Sequence, residues 1–190
     1  MTKKPTKEEA KAAVKTLLSW AGDNPEREGL LDTPKRVVEA FSEYFDGYNH
    51  DPKDALSTTF EEVGGYDDIV LLKNMRFESH CEHHIAPIIG VAHIAYYPNK
   101  KVIGISKLAR LLDVFAKRLQ TQETMTSQIA ATIEEVLAPK GVAVLIDAEH
   151  QCMTARGAHK PGTTTLTSTL TGIFKSDKSL EEKFYTMIKF

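Results

Sequence analysis

Cysteine is scarce in this 190-residue chain: Cys81 and Cys152 are its only two. One bridge between such distant positions would not make a disulfide scaffold, so a reducing compartment is the simpler reading. Long apolar runs are missing as well. Nothing approaches the ~18 residues of a membrane span, and no apolar stretch of a secretory leader follows the basic start MTKKPTKEEAKAAVK. A cytoplasmic protein without a membrane partner is expected. Neither sign of charge is in excess, with 24 Lys and Arg against 26 Asp and Glu. That balance argues against gripping a nucleic-acid backbone by bulk charge, so an anionic partner has to meet a local basic cluster. Glycine-rich phosphate loops of Walker or Rossmann type, internal repeats and low-complexity linkers are also lacking. With 42% hydrophobic and 26% charged residues, the chain reads as an ordinary globular protein of one domain with an added arm.

The first third reads as helical. Thr6 and Glu9 have capping-box spacing, and Ala10, Ala13, Val14, Leu17, Leu18 and Ala21 form one apolar stripe that Gly22 stops, giving a helix over 7–21. Thr33 followed by Pro34 reads as a second N-cap, with Val37, Val38, Phe41, Tyr44 and Phe45 at helical spacing. Strand patterns follow over 69–72, over 85–97 with a bulge or bend at Gly90, and over 102–105, the last two read as a hairpin. Ser106 is expected to cap a helix in which Leu108, Leu111, Leu112, Phe115, Ala116 and Leu119 keep perfect helical spacing. Further elements are a helix over 122–137, a strand over 142–147, an extended or looped segment over 148–157, a threonine-rich strand over 163–174 and a terminal helix. The order predicts an α+β fold: a mostly antiparallel sheet with helices packed on one face. An N-terminal helical region is assigned to residues 1–62 and the main domain to 63–190.

Three of the seven histidines, His80, His83 and His84, cluster around Cys81. Cys81 and His84 are separated by two residues, which lets a thiolate and an imidazole close on one metal ion, although a buried cysteine beside surface histidines would read the same way. The second cysteine tips that balance. In an extended strand His150 and Cys152 would share a face, bringing a second thiolate with an imidazole beside it. Cys81, His84 and Cys152 then give zinc three ligands and leave a fourth position for an activated water, as in catalytic sites. The competing arrangement is a closed structural site completed by His80, His83 or His150. Surplus histidines weigh against closure, because His83 and His150 are suited to proton transfer near neutral pH.

A third segment, Ser106-Lys107-Leu108-Ala109-Arg110, puts a hydroxyl and two cations at a helix start, an arrangement suited to phosphate as well as to a merely solvated basic face. Arg156 adds a cation near Cys152. Gln122 and Glu123 present an amide and a carboxylate that suit a base edge rich in N–H donors, such as guanine.

Four segments in this order closely resemble the GTP cyclohydrolase I family: Cys81-Glu82-His83-His84, Val102 to Arg110, Gln120 to Glu123, and His150 to Gly157. The resemblance spans residues 25–190 and is dense from 79 to 172. His80, Ile85 and Leu119 depart from the commonest family pattern, and none of them is assigned chemistry. The resemblance implies a tunnelling fold, in which antiparallel sheets of several subunits join into a barrel, and a homodecamer of two pentamers with active sites at subunit boundaries. It implies zinc, one per subunit, on Cys81, His84 and Cys152. It further implies GTP as substrate, with Glu123 and Gln122 at the guanine, Lys107, Arg110 and Arg156 at the triphosphate, and Ser106 near the ribose. His150, assisted by His83, would carry protons. The implied reaction is hydrolytic opening of the guanine ring at C8, loss of formate and rearrangement to 7,8-dihydroneopterin triphosphate, the first step of folate and pterin synthesis. Two other classes stay open: a zinc protein that uses its metal only for assembly, and a tunnelling-fold enzyme acting on another purine or pterin.

Overall fold

A computed structural model describes residues 4–61, 64–65 and 67–189. Its contacts divide the chain into two compact units that meet at Phe45 and Asp46. The boundary expected between residues 62 and 63 lies outside the described residues.

The first unit holds helix α1 (Lys7–Trp20), a 3-10 turn at Glu28–Leu30 and helix α2 (Thr33–Tyr44). Thr6 and Glu9 cap α1 reciprocally: the Thr6 hydroxyl accepts from the Glu9 N–H at 3.2 Å, and a Glu9 carboxylate oxygen accepts from the Thr6 N–H at 2.7 Å. The cap of α2 is a correction. Asp32 occupies the N-cap position without a side-chain cap bond, which makes Thr33 the first helical residue and Pro34 the second.

The second unit opens with a 3-10 turn at Asp46–Asn49, the short helix α3 (Pro52–Ala55) and strand β1 (Thr59–Phe60). Strands β2 (Val70–Cys81) and β3 (Pro87–Tyr97) follow, then β4 (Val102–Ile103), α4 (Ile105–Ala116), β5 (Leu119–Gln120) and α5 (Gln122–Leu137). The chain closes with β6 (Gly141–His150), α6 (Gln151–Thr154), β7 (Thr164–Leu170), α7 (Gly172–Ser176) and α8 (Lys178–Lys189). The main sheet runs β5-β2-β3-β6-β7, antiparallel except for β5, which lies parallel to β2. This is the α+β architecture expected. Among the described residues no helix is long and apolar enough to cross a membrane.

Alternation along the strands decides which face carries which helices. Phe77 and Cys81 of β2, Ile88, Ala92, Ile94 and Tyr96 of β3, and Val142, Val144, Ile146 and Ala148 of β6 join one core with α4 and α5. Leu108, Leu111 and Leu112 of α4 and Met125, Ile129 and Ile133 of α5 are at most 1% exposed, and each such side chain contributes about 1.5–3 kcal/mol on burial. On the opposite face Ala95, Ala143 and Leu145 pack with Phe174 and Phe184 of the two C-terminal helices.

Several local expectations are corrected. β2 extends to Cys81, well beyond Leu72, because a register shift between Leu72 and Met75, with Asn74 at φ +58, breaks the alternation that reveals a strand. The irregularity therefore sits there and not at Gly90, which pairs in register with both Phe77 and Ala148. Gly90 is a point of close approach instead. β4 pairs with β1 and not with β3. Phe174 belongs to α7, since β7 stops at Leu170.

Candidate metal centre

The register of β3 brings the two cysteines together. Ile88 pairs on one side with Ser79 of β2 and on the other with His150 of β6. Cys81 and Cys152 each lie two residues further on, so both reach the same end of the sheet. Strands flanking a common neighbour stand about 10 Å apart, too far for a shared ion. Two local structures close that gap. After Cys81 the chain folds back tightly: the Ile85 N–H donates to Cys81 O at 2.9 Å, and the Cys81 N–H donates to Ala86 O at 2.9 Å. Ile85 at φ +53 makes that turn possible, in a conformation β-branched residues avoid and that costs on the order of 1–3 kcal/mol. β5 pins the same loop, with Gln120 O accepting from the Glu82 N–H at 3.1 Å. After His150 the chain turns into α6, so Cys152 arrives from a helical turn. From the sequence, 148–157 is expected to be extended or looped, with His150 and Cys152 on one strand face; the structure places Cys152 on a helical turn instead, within reach of Cys81 and His84.

The ligand atoms of Cys81, His84 and Cys152 all lie within 4.8 Å of one another. Cys81 Sγ and His84 Nδ1 are 3.9 Å apart. Tetrahedral zinc bonds of about 2.3 Å to sulfur and 2.0–2.1 Å to nitrogen place ligand atoms roughly 3.5–3.8 Å from each other, so small rotamer adjustments fit the group to zinc. Among the described residues the group comprises these three side chains. His80 is not in it, since strand alternation turns it to the face of β2 opposite Cys81. Cys81 is buried, Cys152 half-buried and His84 exposed, which leaves the group open on one side. Burial first, then the Cys81 thiol, push the Cys152 thiol above its ordinary pKa, while Arg156 opposes them. A divalent metal bound here would be held by both cysteines as thiolates.

His150 stands beside this group. Its Nε2 lies 2.8 Å from Gln122 Oε1. Burial lowers its pKa from the ordinary histidine value, with the Glu123 carboxylate working in the other direction. Gln122 itself is fully buried at the first position of α5, and its amide nitrogen donates to Ile146 O at 3.0 Å and Thr165 O at 2.8 Å. Next along the helix, Glu123 has its carboxylate in solvent. His83 is exposed, with Nε2 3.8 Å from a Glu82 carboxylate oxygen.

Cys81, His84, Cys152, His150, Gln122, Glu123 and Arg156 are thus gathered at one end of the sheet. Ser106, Lys107 and Arg110 are not joined to them by any hydrogen bond or ion pair among the described residues. Ser106 is not the cap of α4, whose N-cap is Gly104 without a side-chain bond. Arg110 lines a different opening, about 390 Å³ in volume, with Asp46, His50, Asp113 and Lys117. Sequence reasoning missed the contact between Gln122 and His150, and with it the threonines of β7 behind Gln122. The Gln-Glu pair at a helix start was the available signal, and it pointed to a base edge.

An α+β sheet whose end presents two thiols and an imidazole, with a fourth position left for water, has the donor set of a metal-dependent enzyme. Comparisons with known proteins give the family. The family model of GTP cyclohydrolase I matches residues 10–189. GTP cyclohydrolase 1 of Maricaulis maris (strain MCS10) is 61% identical over 186 residues, covering 98% of this chain and 91% of that protein. The protein of the same name from Allorhizobium ampelinum is 60% identical over 188 residues, covering 99% and 94%. A crystal structure of the archaeosine synthase QueF-Like in the apo form aligns with a TM-score of 0.46 at 18% identity, over 55% of this chain and 94% of that one. The chain belongs to the GTP cyclohydrolase I family.

Proposed function

We propose that the chain is a GTP cyclohydrolase I, which opens the guanine ring of GTP hydrolytically at C8, releases formate and rearranges the remainder to 7,8-dihydroneopterin triphosphate for folate or pterin synthesis. The observation that carries this reading is the Cys81, His84 and Cys152 group standing beside His150 and Glu123 in a member of this family. Zinc held by those three ligands supplies a Lewis acid that brings the pKa of a water molecule down towards neutrality.

The chain's own residues do the rest. Glu123, exposed on the first turn of α5, accepts N–H groups of the guanine edge. Lys107, Arg110 and Arg156 neutralise the triphosphate, and Ser106 meets the ribose. The start of α4 supports this: it has no side-chain cap, and although the Lys107 N–H donates to Gly104 O at 2.8 Å, the N–H groups of Ile105 and Ser106 remain available to an anion. His150 takes and returns protons at the reacting purine, with His83 assisting. Residues 63–190 form the catalytic domain and 1–62 the helical region before it.

The working form is a cytoplasmic homo-oligomer, a decamer of two pentamers with sites at subunit boundaries. The position of Arg110 supports a shared site, since within one chain it lines an opening with Asp46 and Asp113 that contains none of the metal-ligand candidates. Incubating zinc-loaded protein with GTP tests the function: formate and a fluorescent oxidised neopterin are expected. Zinc bound at one per chain with no formate released would overturn it.

A further inference from the structure

We propose that Gln122 is a positioning residue that fixes the tautomer of His150, so that His150 takes and gives its proton only at Nδ1. This rests on the reading of His150 as a proton carrier and adds which atom does the carrying, and why.

A glutamine amide has one accepting and one donating end, and neighbours decide which faces where. At Gln122 they leave no freedom. Its nitrogen meets the carbonyl oxygens of Ile146 at 3.0 Å and Thr165 at 2.8 Å, neither of which can donate. The same nitrogen lies 3.1 Å from Thr167 Oγ1. The hydroxyls behind it run in one direction. Thr126 Oγ1 donates to the backbone oxygen of Gln122 at 2.7 Å, which spends its only hydrogen. The 2.7 Å contact between Thr126 and Thr167 is therefore donated by Thr167, so Thr167 has no hydrogen to offer the Gln122 nitrogen, whose own two hydrogens point to Ile146 O and Thr165 O. The hydroxyl relay runs from Thr167 through Thr126 to the Gln122 backbone oxygen.

Oε1 is consequently the atom that faces His150, and an amide oxygen only accepts. His150 Nε2, 2.8 Å away, has to carry hydrogen. Nδ1 makes no hydrogen bond among the described residues and is not among the buried unpaired atoms, so it is the accessible nitrogen with a free lone pair. A proton taken from substrate at Nδ1 gives an imidazolium with both nitrogens protonated, and Nε2–H stays on Gln122. Returning that proton from Nδ1 restores the starting tautomer. The opposite tautomer would set the bare Nε2 lone pair against the Oε1 lone pairs. The hydrogen-bond geometry around the amide makes this choice.

The test reads the ring directly. Zinc-loaded protein labelled with 15N-histidine is observed near pH 8, and the His150 signals are identified by their loss in His150→Ala. A protonated Nε2 and a bare Nδ1 are expected, and the reverse pattern would overturn the proposal. Gln122→Met, similar in length but without an acceptor, should lose this pattern and lower kcat about tenfold or more, with KM for GTP changed less than about twofold. A loss of kcat in Gln122→Met with an unchanged ring pattern would make Gln122 a structural residue and overturn the proposal. An inactive His150→Ala beside an unimpaired Gln122→Met would overturn this proposal alone. Full turnover in His150→Ala would overturn the reading of His150 itself, and this proposal with it.

Discussion

Replacing Gly90 by alanine should damage both the fold and the metal centre, and the structure gives the size of the effect. Gly90 lies in the middle of β3, between Phe77 of β2 and Ala148 of β6. A Cβ there would sit 2.3 Å from Asp147 O, 2.5 Å from Ala148 Cβ and 2.7 Å from Ala148 Cα. Two of these are backbone atoms, so no rotamer change relieves the clash and β6 has to move by about an ångström. Overpacking of this kind costs about 1–3 kcal/mol, and a backbone clash belongs at the upper end. For a chain of this length about 3 kcal/mol lowers the thermal midpoint by roughly 6–12 °C. Ala148 is two residues before His150 and four before Cys152, so the displaced strand carries its error to the metal ligands. Thermal unfolding with zinc analysis measures both effects: a lower midpoint and weaker zinc retention are expected. Gly64→Ala is the control, since nothing lies within 4 Å of its Cβ position and its midpoint should stay put. A Gly90→Ala protein with an unchanged midpoint and full zinc would refute the reasoning.

Three further outcomes follow from the same structure. Cys152→Ala should abolish zinc binding and turnover together, and full metal content by elemental analysis would remove Cys152 from the ligand set. Glu123→Gln, which loses the carboxylate proposed to accept the guanine N–H groups, should raise KM for GTP at least tenfold while zinc content stays at the wild-type level, with an unchanged KM counting against that role. His93 is buried on β3, where burial lowers its pKa below the ordinary value, with Lys73 acting in the same direction and Asp147 against it. Its Nδ1 lies 3.4 Å from the Asn74 N–H, so the folded state holds it neutral. Because the unfolded chain binds a proton there more readily, stability should fall as pH drops through the ordinary value of 6.5, and His93→Gln should lose less stability than wild type between pH 7.5 and 5.5. Parallel losses in the two proteins would count against this assignment.

Where side-chain period alone decides structure, the elements were legible. The apolar stripe of α4 holds from Leu108 to Ala116, but its expected last member, Leu119, lies in β5, because the helix ends at Ala116; α5 forms over the range its pattern indicates. The capping box of α1 was legible too, because its partners are three residues apart. Failures fall where a distant partner overrides a local cue. Ser106 looks like a cap, yet α4 begins two residues earlier, because β4 pairs with β1 and delivers the chain to Gly104 as the cap position. Residues 73–79 did not read as strand, because the register shift beside Asn74 interrupts the alternation while the ladder to β3 continues across it.

The ligand types, and the surplus histidines beside them, could be named from spacing and side-chain chemistry alone, since two residues between Cys81 and His84 already permit a shared ion. The meeting of Cys81 with Cys152 belongs to the tertiary structure, because it depends on Ile88 pairing with Ser79 on one side and His150 on the other, a register set by the whole β2-β3-β6 ladder. The orientation of Gln122 is of the same kind. Its identity says only that it can donate and accept, and the carbonyls of Ile146 and Thr165, 24 and 43 residues away in sequence, decide which end does which.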